Sequence, residues 1–102
     1  MIAEVLFKKG FKFHYEEELV LGDAVYYPDF IIWNPKTNEL VIWENVGRLD
    51  KPNYMFRLLN KLQHYFQYGY YPSVNLILTF DTEKYPVTME RIERVIQMYF
   101  DC

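Results

Sequence analysis

The chain has 102 residues, which fits one domain and leaves no room for a second. Its net charge of −3 excludes a protein that grips nucleic acid by bulk positive charge, so any nucleic-acid role must come from a local site. An apolar fraction of 51% and an aromatic fraction of 20% place it among folded globular chains, with large rings available to build a small core.

The opening stretch MIAEVLFKKG lacks the basic start and long apolar run of a secretory leader. Residues 2–9, with Ile2, Val5 and Leu6 and a stop at Gly10, read as a short helix. Residues 11–21 alternate at first through Phe11, Phe13 and Tyr15, then run into Glu16, Glu17 and Glu18, so they read as a strand leading into a polar turn. Residues 24–33, rich in Val, Tyr, Phe and Ile, read as a second strand. Pro28 inside it suits a strand start or a bulge. The turn chemistry of Asn34-Pro-Lys-Thr-Asn38 then leads to a third strand at 40–45, which makes an antiparallel hairpin with the second.

Residues 46–52 are irregular, and a helix is expected over about 53–68. Met55, Leu58, Leu59, Leu62 and Phe66 mark its buried stripe, with Arg57, Lys61 and His64 on the other side and Gly69 at its end. Residues 74–80 (VNLILTF) form a nearly continuous apolar run, as expected of a strand covered on both faces. Thr88 reads as the N-cap of a last helix that buries Met89, Ile92, Val95, Ile96 and Tyr99. The single Cys102 ends the chain, so no intrachain disulfide can form, which suits a reducing cytoplasm. No run approaches the roughly 18 apolar residues of a membrane span. The order α-β-β-β-α-β-α predicts an α/β fold with a mixed sheet flanked by helices.

The hairpin carries the chemistry. If Trp33 pairs with Leu40, every opposed pair has the same index sum and Asp29 stands opposite Glu44. A slip of one residue would send the two acids to opposite faces. Both are set in apolar strand sequence, YYPDFIIW and LVIWENVG, where a charge is costly unless it is paired or ligates a metal. Two carboxylates that close call for a counter-charge, and a divalent cation with its preference for oxygen supplies one.

Pro28-Asp29 followed by Glu44-Asn45-Val46 resembles the signature of the PD-(D/E)XK nuclease superfamily, whose restriction-endonuclease-like core has the same element order. The wording is closer still to a subgroup often linked to helicases. It covers Tyr15-Glu16, Pro28-Asp29-Phe30, Trp43-Glu44-Asn45-Val46-Gly47, Lys61-x-x-x-Tyr65 and Gly69, nearly the whole chain. The resemblance implies metal-dependent hydrolysis of DNA phosphodiester bonds that leaves a 5′-phosphate and a 3′-hydroxyl. It implies that Asp29, Glu44 and the backbone carbonyl of Asn45 hold Mg²⁺ or Mn²⁺. The signature lysine is expected at position 46, where this chain has Val46. Lys61 on the following helix then becomes the candidate cation, with Tyr65 beside it where RecB-like nucleases carry Gln-x-x-x-Tyr.

The family's first-helix glutamate would fall just before Met1. Either Glu4 takes its place or that ligand is absent, as in a trimmed or minimal domain. Glu16 is a further candidate for approaching the site. Arg48, Lys51 and Arg57 follow the Glu44 strand and, with Lys61, can track a phosphate backbone. His14 and His64 read as surface or partly packed residues. Tyr54 and Tyr65 read as packing residues with polar tips, and Tyr68, Tyr70 and Tyr71 as the close of the helix. The alternative is a catalytically inactive nuclease-like domain that binds DNA or a protein partner, in keeping with Val46 and the missing early glutamate. A third option is an interaction module whose aromatic surface pairs with another chain.

Overall fold

A computed structural model describes residues 1–47 and 51–101. It is an α/β fold with a mixed four-stranded sheet, three helices and a separate two-stranded hairpin. The first helix, α1 (Ile2–Lys8), buries Ile2, Val5 and Leu6, which share one helical face. The chain then turns at Gly10, whose φ of +79° suits glycine.

The sequence at 11–21 forms two short strands rather than one, β1 (Phe13–Tyr15) and β2 (Leu19–Leu21). The break falls at Glu16, which takes the left-handed conformation with φ 51° and starts the acidic turn. Residues 24–33 also split, into β3 (Ala24–Tyr26) and β4 (Phe30–Trp33). Here the break is at Pro28, which has no N–H to give to a ladder. The strands β2 and β3 pair with each other as a separate hairpin closed by Gly22. Its φ of +64° calls for glycine, whereas the Tyr68 hydroxyl that a Cβ there would meet is the tip of an exposed side chain that can swing aside.

The β4–β5 pairing has the expected register. Trp33 opposes Leu40 and Phe30 opposes Trp43, with β5 covering Leu40–Val46. Strand β6 (Leu76–Phe80) lies parallel to β5, reached through helix α2 (Pro52–Gln67). Sheet order is β1-β4-β5-β6. The last helix, α3 (Met89–Phe100), starts at Thr88, whose hydroxyl accepts from the Arg91 N–H.

Strand alternation sends the two faces of β4 and β5 into two cores. Phe30, Ile32, Val41, Trp43 and Ile77 pack against α1 and α3. Ile42 and Leu76 pack on the other face against Tyr65 of α2 and Leu21 of the small hairpin. Helix α2 is rotated from the expected stripe. Leu58 and Tyr65 are buried, whereas Leu59 is 56% exposed and Phe66 36%. The turn that buries Tyr65 also brings Lys61, one turn earlier, to the inner side of the helix.

Candidate active site

Glu44 is the one charged residue buried among the described residues, at 4% exposure. It stands near the C-terminal end of β5, on the face covered by α2, and an isolated carboxylate there would be costly. Three groups compensate it. Lys61 Nζ lies 2.9 Å from Oε2, the Tyr65 hydroxyl donates to the same oxygen at 2.7 Å, and the Asp29 N–H reaches Oε1 at a longer 3.3 Å. Burial first, and then the neighbouring Glu44 charge, push the Tyr65 phenol well above its ordinary pKa. It therefore stays a donor.

Asp29 follows Pro28 at the point where the β4–β5 ladder ends, and side chains take over from carbonyls there. The Asp29 carboxylate accepts the Asn45 N–H at Oδ2, 2.7 Å away, while its own N–H points to Glu44. Its carbonyl accepts from Glu16 N–H at 3.1 Å, which keeps the β1 edge in place. These two bonds, from the Asp29 N–H to Glu44 and from the Asn45 N–H to Asp29, hold both acids at one corner of the sheet. The Asn45 side chain turns to the other face. Its Oδ1 accepts from the Thr79 hydroxyl, which in turn accepts from the Trp43 indole N–H, both at 2.9 Å.

Burial pushes the Asp29 carboxyl above the usual carboxylate range. The Asn45 N–H opposes this, Glu44 adds to it, Lys61 opposes it and Glu16 adds to it. Between the ordinary and the raised value, folded protein holds a proton that the unfolded chain has released. Stability therefore falls as pH rises through that window. Asp29→Asn should raise the melting temperature at neutral pH and flatten its pH dependence above the ordinary carboxylate range. Thermal melts at matched pH check this, and a melting temperature that drops at neutral pH would show that the ionised form is the stabilising one.

Two openings meet this corner. One, of about 330 Å³, is lined by Tyr15, Asp29, Asn45, Asp81 and the start of α1. The other, about 520 Å³, lies between β3 and α2 and is lined by Tyr26, Tyr54, Arg57, Leu58, Asn60 and Lys61. Asp81 was not evident as a site residue in the sequence. It directly follows the apolar run of β6, where its N–H donates to Val46 O and its Oδ1 accepts from Val87 N–H.

A scan against protein-family models finds no match to the chain, and neither does a search of curated proteins.

The other sequence candidates are distributed as follows. Glu4 lies on the outer side of α1, near the N-terminal amine at 3.7 Å, because Ile2, Val5 and Leu6 take the inner face. It does not line the Asp29 opening. Glu16 is exposed but close enough for its charge to act on Asp29. Lys51 is the exposed N-cap of α2, and Arg57 lines the second opening. Arg48 lies outside the described residues. His14 pairs with Glu17 at the surface, and His64 is half-buried with its Nδ1 on the Tyr26 hydroxyl.

The donor set decides what the corner can hold. No group of three His, Cys, Asp or Glu side chains suited to a metal occurs among the described residues. The side-chain oxygens at hand for a cation are those of Asp29 and Glu44, with water to supply the rest. That all-oxygen, water-rich set fits Mg²⁺, which keeps several waters and takes one or two carboxylates from the protein. It fits a zinc site poorly, since no His or Cys is at hand.

Proposed function

We propose that the protein is a divalent-metal-dependent nuclease of the PD-(D/E)XK, restriction-endonuclease-like type, acting on DNA phosphodiester bonds. The observation that carries this reading is the meeting of Asp29, Glu44 and Lys61 at one corner, with Lys61 Nζ 2.9 Å from the buried Glu44. The two acids come from an antiparallel strand pair and the cation from the helix that crosses to the parallel strand, in the arrangement that the resemblance calls for. Val46 supports the reassignment of the cation. It is 2% exposed and stands where the signature lysine is expected, so the charge must come from another element.

Asp29, Glu44 and the Asn45 carbonyl would hold Mg²⁺ or Mn²⁺, which when bound lowers the pKa of a coordinated water and offsets phosphate charge. The remaining roles fall to the chain itself. Lys61 presents a fixed ammonium beside the acids, able to face an anionic phosphate oxygen. Tyr65, kept protonated by burial, fixes the Glu44 carboxylate in one orientation. The Asn45 N–H holds Asp29, and Thr79 with Trp43 holds Asn45 in register. The small β2–β3 hairpin is an addition to the core strands and supplies Tyr26 to the second opening.

A second reading is favoured by one observation. Glu44 is already bonded by Lys61, Tyr65 and the Asp29 N–H, and no buried side-chain polar atom lacks a partner among the described residues. Such a satisfied set also suits a catalytically silent domain that binds DNA or a protein partner. A nicking assay separates the two. Supercoiled plasmid should be nicked in Mg²⁺ or Mn²⁺ and left intact in EDTA. Plasmid left intact in either ion, with DNA binding that survives EDTA, would replace the nuclease by the silent domain.

A further inference from the structure

The opening between β3 and α2 has a composition that the hydrolytic chemistry does not require. Its volume of about 520 Å³ lies within the roughly 300–1,000 Å³ of small-ligand sites. Two tyrosines, one leucine, one asparagine and two cations line it. Tyr26 forms a fixed wall. Its hydroxyl is bonded to His64 Nδ1, and its ring meets Tyr65 edge-on at 5.5 Å and 72°. Tyr54 stands on the first turns of α2, half-buried, and its hydroxyl has no hydrogen bond among the described residues. Arg57 and Asn60 are exposed at the rim of the same opening, so three polar groups face it. Lys61 belongs to this opening and to the Glu44 corner alike.

These groups match the parts of a nucleotide. Aromatic rings take a base face, an asparagine amide can pair with a base edge, and Arg57 with Lys61 offers positive charge to phosphates. A base within a duplex has both faces covered by its neighbours, so only an unpaired one can offer a face to a tyrosine. We propose that this opening binds one unpaired nucleotide of a DNA strand, which makes single-stranded DNA beside the cut the preferred substrate. The inference rests on the nuclease reading for its substrate and on the opening alone for its binding.

The test is fluorescence anisotropy with a labelled oligothymidylate and, separately, a blunt duplex, both in EDTA so that nothing is cut. Wild-type protein should bind the single strand more tightly than the duplex. Tyr54→Ala should weaken single-strand binding about ten-fold or more, the scale of one lost base stack, while Tyr54→Phe binds as wild type. Arg57→Ala should weaken both probes and flatten the salt dependence. Thermal melts confirm that each variant is folded. Equal binding of strand and duplex, or a folded Tyr54→Ala that binds like wild type, would overturn the assignment. Strand-selective binding without cleavage in Mg²⁺ would uphold the opening while removing the nuclease reading. Cleavage without any strand preference would do the reverse.

Discussion

Replacing Lys61 with methionine is expected to destabilise the fold by about 3 kcal/mol in urea titrations. Removing one partner of a buried ion pair costs about 3–5 kcal/mol, because the other charge is left without compensation. The lower end applies because the Lys61 side chain is 28% exposed and water can reach part of the pair, whereas Glu44 is at 5%. The Tyr65 hydroxyl and the Asp29 N–H remain on Glu44, but neither carries a charge. Combining Lys61→Met with Glu44→Gln should recover most of the loss, since the neutral amide can still accept from Tyr65. The double-variant cycle isolates the pair. A single Lys61→Met that melts like wild type would mean that the tyrosine and the backbone alone hold Glu44.

On the nuclease proposal, Glu44→Gln is expected to lower Mg²⁺-dependent nicking by about 10²-fold or more, since losing even an outer partner of a metal ligand costs about 10–100-fold. Its effect on stability should be much smaller. The amide keeps the Tyr65 bond, and Lys61, no longer paired, is exposed enough to hydrate. The contrast with Asp29→Asn is informative. That variant is expected to melt higher at neutral pH, because burial disfavours the ionised Asp29, and on the proposed nuclease reading it should also lose cleavage. Parallel nicking and melting curves on the two variants check it. A Glu44→Gln protein that cleaves at wild-type rate would remove Glu44 from the chemistry.

The hairpin was the most legible part of the chain. A polar turn at 34–38 between two apolar runs leaves few registers, and the pairing of Trp33 with Leu40 is the one the strands adopt, down to Phe30 opposite Trp43. The last helix was legible for the same reason, through Thr88 and the spacing of Ile92 and Ile96. The breaks within 11–21 and 24–33 were not. Residues 19–21 and 24–26 are short apolar runs on the far side of the acidic turn and of Pro28, too brief to show a period of their own, and the breaks fall at the left-handed Glu16 and at Pro28, which has no N–H.

The face of α2 was also misread from hydrophobicity alone. Of the expected stripe, Leu58 is buried and Leu62 packs against the core, whereas Leu59 and Phe66 face outward and Lys61 and Tyr65, which apolar spacing does not select, face inward. The helix turns Lys61 and Tyr65 inward because Glu44 offers a buried charge that a lysine and a tyrosine can satisfy. Sequence periodicity counts apolar area and has no term for a carboxylate waiting on the opposite element. Thr79 escaped notice for a related reason. One hydroxyl in the run LILTF looks incidental until the parallel register sets it opposite Asn45.

The most direct test of whether Asp29 and Glu44 share a cation is calorimetric titration of the protein with Mn²⁺ at neutral pH. The account predicts one binding event for wild type, lost in Asp29→Ala and in Glu44→Gln and weakened by acidification as Asp29 takes up a proton. A wild-type protein that gives no Mn²⁺ binding, or two variants that bind Mn²⁺ as wild type does, would contradict it.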